Sequence, residues 1–155
     1  MKKYILLLSL LLAVGCSNNK VNNEVQTPLD FTLEQAEKNG DIIVGPSGQR
    51  NTEKMDDFIS SHNNNEKATL RIATYTDEGD AILYDLSTDE DTIYYSSDNT
   101  RDAFGGDVGI KKTTCKNIVK EEDTETTLYI IEGCKDRIGP YDSVRDIDIV
   151  LTLVK

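Results

Sequence analysis

ATLRIATYTDEGDAILYDLSTDEDTIYYSS, residues 68–97, alternates apolar and polar positions along most of its length. A period of two sends successive side chains to opposite faces of a strand, so the stretch predicts β structure rather than helix. Leu70 and Ile72, then Ile82, Tyr84 and Leu86, then Ile93 and Tyr95 fall on one apolar face of a three-stranded antiparallel meander. Asp77-Glu78-Gly79-Asp80 supplies the first turn and Thr88-Asp89-Glu90-Asp91 the second. The opposite face carries Arg71, Tyr75, Leu83, Asp85 and Tyr94. Leu83 argues that a second layer covers it; the two tyrosines suit a solvated surface.

Downstream, residues 113–134 read as a hairpin with its turn at Thr124-Glu125. Opposed residue numbers then sum to 249, so that Val119 faces Ile130 and Cys115 faces Cys134. Facing residues of antiparallel strands lie about 4.5–5.5 Å apart, within reach of a disulfide. A redox role for the pair lacks the C-x-x-C spacing. Gly139-Pro140 breaks the chain. Ile147, Ile149, Leu151 and Leu153 then alternate with Asp146, Asp148, Val150 and Thr152 as a half-buried strand.

Upstream, Thr32 and Gln35 fit a capping box, Phe31 and Ala36 a hydrophobic staple, and Asn39-Gly40 a helix stop. Asp41-Ile42-Ile43-Val44 reads as a short strand and Gly45-Pro46-Ser47-Gly48 as a loop. Asn51 is placed to cap a second helix, on which Met55, Phe58, Ile59 and His62 recur at helical spacing. His62, the single histidine, is expected as a packed structural imidazole with no visible catalytic partner. The expected fold class is α+β: one domain over 29–155, a mostly antiparallel twisted sheet of five to seven strands, and two helices packed on one face.

The chain starts MKKYILLLSLLLAVGC. Two lysines precede an apolar run from Tyr4 to Val14, too short to span a bilayer, which takes roughly 20 residues. This is the pattern of a secretory signal peptide over residues 1–15. Leu12-Ala13-Val14-Gly15-Cys16 resembles the bacterial lipobox, which implies cleavage before Cys16 and a diacylglycerol on its thiol. Simple cleavage after Gly15 would instead leave Cys16 as an odd thiol outside the cell. Two acyl chains anchor stably where one is marginal. Residues 16–28, polar and Asn-rich, then form a lipidated tether with a reach of roughly 20 Å. The expected location is the extracytoplasmic face of the cell membrane, where Cys115 and Cys134 remain as an even pair suited to a disulfide.

Losing residues 1–15 removes Lys2 and Lys3 and takes the formal charge from −11 to −13. That disfavours nucleic acid and points to cationic proteins or ligands, to metal ions, or to solubility alone. A monomer is expected. Residues 77–107 hold ten carboxylates against one base, Arg101. Within them Asp98, Asp102 and Asp107 are candidate calcium ligands, although the spacing is not that of an EF-hand. The competing account has Asp98 and Asn99 making turn bonds, Gly105-Gly106 supplying positive φ, and Arg101 neutralising a neighbour. No other cofactor, and no triad, P-loop or zinc set, is suggested. Asn99, Arg101, Tyr75 and Tyr94 are candidate contact residues. Three functions follow: a binding module acting through an acidic surface, a hydrolase using carboxylates of the 98–107 loop, or an inhibitor of a cationic extracellular enzyme.

Asn39-Gly40-Asp41, Arg71-Ile72 with Tyr75-Thr76, Glu78-Gly79-Asp80, Asp98-Asn99-Thr100-Arg101-Asp102, Phe104-Gly105-Gly106, Thr114-Cys115 and Gly133-Cys134 follow in order. Together they resemble a family of small Gram-positive lipoproteins, domain of unknown function 4362, over Phe31 to Cys134. The resemblance implies anchoring on the outer face of the cytoplasmic membrane. It implies no particular activity, fold or catalytic residue.

Overall fold

The computed structural model describes residues 27–155. The leader over 1–15, the Cys16 anchor and the tether as far as residue 26 lie outside the described residues.

Six strands form sheet A: β1 (Ile42–Gly45), β2 (Gly48–Arg50), β3 (Ala68–Tyr75), β4 (Ala81–Asp89), β5 (Thr92–Asp98) and β6 (Ile110–Cys115). Their spatial order is β2-β1-β3-β4-β5-β6. The meander β3–β4–β5 pairs Leu70 with Leu86 and Leu86 with Tyr95, so the apolar face read from the alternation exists. The second turn sits a residue later than expected, because Asp89 pairs with Thr92 and leaves Glu90-Asp91 as a two-residue loop. Glu90 takes φ 55°, as such tight hairpins demand.

One pairing is parallel. β1 lies beside β3, with Ile43 opposite Ala73. The crossover between them contains β2, which folds back on β1 around Pro46-Ser47, and helix α2 (Lys54–Asn63). Parallel neighbours need such a connection, usually a helix.

A second sheet, absent from the expected single-sheet picture, contains β7 (Asn117–Glu122), β8 (Thr126–Glu132), β9 (Tyr141–Asp142) and β10 (Ile147–Val154). Its order is β7-β8-β10-β9. The hairpin register is as read: Val119 pairs with Ile130, and Cys115 is bonded to Cys134 with an S–S distance of 2.00 Å. Cys115 ends β6 in sheet A, and after Lys116 the chain continues as β7 of sheet B. The disulfide therefore sits where one strand changes sheet.

The core explains the layering. Ile42, Met55, Phe58, Ile72, Leu86, Ile93, Tyr129, Ile131, Val150 and Leu151 form one cluster, so α2 and sheet B share one face of sheet A. Ile43, Ala73, Ala81 and Leu83 face the other way and are covered by Ala36 of helix α1 (Leu33–Asn39) and by Phe31 just before it. The two helices thus occupy opposite faces of sheet A rather than one. The cause is in β1: adjacent Ile42 and Ile43 are both fully buried, so each face of that strand needs its own cover.

Three local details follow or depart from expectation. The Thr32–Gln35 capping box is formed, and Gly40 closes α1 at φ 74°. Asn51 does not cap α2; it adopts φ 57° and its Nδ2 donates to the Asp41 carbonyl at 2.8 Å, leaving Glu53 at the cap position without a side-chain bond. In β10 the strict alternation fails at a bulge between Ile149 and Leu151, which turns Val150 inward beside Leu151.

Candidate functional site

In the meander, the β3–β4 turn and the β5–β6 loop fall at the same end of sheet A, joined by the Ala103 N–H donating to Asp80 Oδ2 at 3.0 Å. The Pro46-Ser47 turn and the approach to α1 lie there too, and the four segments enclose an open cavity of about 620 Å³. Its apolar lining is Phe31, Leu33, Ala81 and the Tyr75 ring, which form its floor, together with Leu29, which is 76% exposed. Asp30, Asp77 and Asp80 stand in its rim. The Tyr75 hydroxyl is buried without a hydrogen-bond partner among the described residues, and burial together with the nearby Asp41 and Glu37 charges pushes it above its ordinary range.

The acidic turns divide between the two ends. Asp89, Glu90 and Asp91 lie at the far end of β4, where Lys67 pairs with Asp89 at 3.1 Å. The carboxylates of 77–80 and 98–107 remain at the cavity end.

The 98–107 loop is organised by its own side chains. Asp98 Oδ1 accepts from the Thr100 N–H at 3.0 Å and the Thr100 hydroxyl at 2.6 Å, and Oδ2 accepts from Arg101 Nη1 at 2.8 Å. Burial raises the Asp98 carboxyl, but the Arg101 and Thr100 bonds outweigh it and hold the group below its ordinary value. Asn99 Oδ1 accepts from the Gly109 N–H at 2.8 Å, and Asp102 accepts from the Phe104 N–H at 3.0 Å. Asp107 pairs with Lys111. Asp98, Asp102 and Asp107 thus serve three different partners, and among the described residues no group of three or more acidic, cysteine or histidine side chains is placed to hold a metal. Gly105 and Gly106 do not supply positive φ; Asp107 does, at 52°, and Gly105 gives room, since a Cβ there would lie 2.7 Å from the Asp102 carboxylate.

Arg101 has a task that sequence reading missed. Its side chain is 4% exposed, and while Nη1 holds Asp98, Nε donates to the Pro28 carbonyl at 2.9 Å and Nη2 to the Thr27 carbonyl at 2.7 Å. Thr27 and Pro28, read as the last tether residues, are fastened to the domain. Nothing in the local pattern of residues 98–102 shows a bond to a segment 73 positions earlier.

Farther down the same face lies a polar groove. Arg71 grips Asp85 with two bonds, 2.6 and 3.0 Å, in its floor, and the Phe31 ring lies 5.9 Å from the guanidinium. Asn39, Asp41, Lys54, Thr69 and Ser87 line one part, of about 450 Å³. Tyr94, Ser96, Ile110 and Lys112 line its continuation across β5 and β6. Asp41 is 8% exposed and its Oδ2 has no hydrogen-bond partner among the described residues. Burial raises its carboxyl above the ordinary range against the pull of Arg71. Tyr75 and Tyr94 share this face of the sheet but line different cavities, so the structure does not bring the expected contact residues into one pocket.

His62 is packed as expected: Nδ1 lies 2.8 Å from the Thr88 hydroxyl and Nε2 3.0 Å from the Lys116 carbonyl, tying α2 to β4 and to the residue at which the chain passes from sheet A to sheet B. Among the described residues no helix is long and apolar enough to cross a membrane.

These features define a small disulfide-stapled α+β domain with an open cavity and a polar groove on the α1 side of its larger sheet. Residues 39–130, more than half of the chain, match the family described as a domain of unknown function (DUF4362), and the chain belongs to that family. No curated protein and no solved structure matches it.

Proposed function

We propose that the protein is a binding module held at the extracytoplasmic face of the cell membrane by a lipid on Cys16, and that it engages cationic partners through the cavity end of sheet A. The observation that carries this reading is the grouping of Asp30, Asp77 and Asp80 in the rim of one cavity. Arg101, the base beside them, turns its N–H groups inward to Asp98, Thr27 and Pro28 and does not offset the rim charge. A negative surface of this kind speeds encounter with positive partners and does so less at high salt. Inhibition of a cationic extracellular enzyme is one form that such an interaction takes.

The anchor is tested by mass spectrometry and cell fractionation of wild type against Cys16→Ala. The variant is expected to lose a lipid-sized mass and to leave the membrane; an unchanged mass and location would refute it. The surface is tested by retention of basic proteins on the immobilised protein. Binding is expected to weaken as salt rises and to fall in the Asp30→Asn, Asp77→Asn, Asp80→Asn triple variant.

A further inference from the structure

We infer that the cavity lined by Leu29, Phe31 and Leu33 takes an apolar side chain, aromatic by preference, from a partner polypeptide whose neighbouring residues are Lys or Arg. This rests on the reading just proposed and names the occupant. The cavity has two chemically distinct parts. Phe31, Leu33, Ala81 and the Tyr75 ring make an apolar floor, and a volume of about 620 Å³ leaves room for a large side chain with part of its backbone. An apolar group placed there sheds its hydration shell, which is the main favourable term in association. Above the floor stand the Asp30, Asp77 and Asp80 carboxylates. An apolar anchor flanked by acidic residues would bring like charges together, and one flanked by basic residues meets opposite charge on that rim.

One exposed apolar group lines the site and a second stands on the adjoining 98–107 loop, an arrangement that fits an anchor pocket better than a solvated turn. Leu29 lines the cavity and is 76% exposed. Phe104, 81% exposed, directly follows Ala103, whose N–H is bonded to the rim carboxylate of Asp80. An aromatic or aliphatic anchor in a pocket, with charged groups around it, is the usual arrangement of binding hot spots.

The test uses the full-length chain and three acetylated, amidated pentapeptides: Lys-Lys-Phe-Lys-Lys, Lys-Lys-Ala-Lys-Lys and Glu-Glu-Phe-Glu-Glu. Titration calorimetry is expected to show the Phe-centred basic peptide binding roughly tenfold more tightly than the Ala-centred one, and no binding of the acidic peptide. Leu29→Ser, at a position exposed enough to spare the fold, is expected to remove most of that preference, whereas Asp77→Asn weakens both basic peptides alike. Equal affinity for the Phe and Ala peptides would overturn the inference while leaving the cationic surface intact. Failure of both basic peptides to bind would overturn the inference and the surface reading together. An unchanged preference in Leu29→Ser would place the anchor elsewhere and defeat it. Self-association abolished by Leu29→Ser would make a second copy of this chain the occupant and defeat it as well.

Discussion

Arg101 reaches back to hold Pro28, 73 residues before it in the chain, and does so while neutralising Asp98 at 2.8 Å. One side chain therefore joins the beginning of the described chain to the end of β5. The pair is well buried, with side chains 4% and 13% exposed.

Arg101→Ala is expected to cost about 3 kcal/mol, because it leaves the Asp98 carboxylate buried without its cation. Arg101→Lys keeps the charge but not the fork that serves three acceptors, and should cost less, about 1–2 kcal/mol. Urea denaturation measures both. Hydrogen exchange should rise at residues 29–31 in either variant, and unchanged exchange there would show that the grip on Thr27 and Pro28 contributes nothing.

Asp98 and Asp41 should give opposite pH signatures. The folded Asp98 carboxyl lies below its ordinary 3.8, so its contribution is present above that value and is lost as pH falls through the folded value. The folded Asp41 carboxyl lies above 3.8, so its contribution is complete below that value and is lost as pH rises through the raised one. Asp98→Asn should flatten the acid limb of the stability curve. Asp41→Asn should remove the fall at the higher pH and leave the acid limb as it was. Midpoints of urea unfolding measured across the acid range decide it; superimposable curves for the two variants would refute both assignments.

Removing the disulfide with Cys115→Ser and Cys134→Ser should lower stability by about 3 kcal/mol, the chain-entropy cost for a loop of this length. The thermal midpoint of the double variant should no longer respond to dithiothreitol, while that of the wild type should fall with it.

Gly139 packs against the buried Tyr95 ring, and a Cβ there would come 2.1 Å from the hydroxyl. Gly139→Ala should therefore destabilise by about 1–3 kcal/mol through overpacking. The Tyr95 hydroxyl has no hydrogen-bond partner among the described residues, and burial holds it above its ordinary range. Tyr95→Phe alone should be neutral or stabilising, and combined with Gly139→Ala it should recover part of the loss. Additive effects in that double-mutant cycle would mean that the two residues do not meet.

The legible parts of the fold were those in which a local pattern decides the outcome. The period of two over 68–97, the Thr32–Gln35 box and the 249 register of the hairpin are each set by residues close in sequence. What stayed hidden depends on distant partners. The short run Ile42-Ile43 does not reveal that its neighbour is parallel β3, nor that both its faces need cover. The alternation in 147–153 conceals a bulge that arises only against Tyr129 and Ile130 of β8. Asn51 has the chemistry of a cap, but its amide finds the Asp41 carbonyl instead. The site was half legible: Tyr75, Arg101 and the acidic turn were singled out, whereas Leu29, Phe31 and Asp30 join them only through the tertiary fold.

The strand that runs through Cys115 and on past Lys116 belongs to both sheets, and this limits how the molecule can be dissected. A chain ended at residue 130, the last position of the family match, would strip β8 of its β10 neighbour and remove the sulfur that Cys115 needs. Residues beyond that point complete the architecture, so the packed body extends past the stretch by which its kinship is recognised.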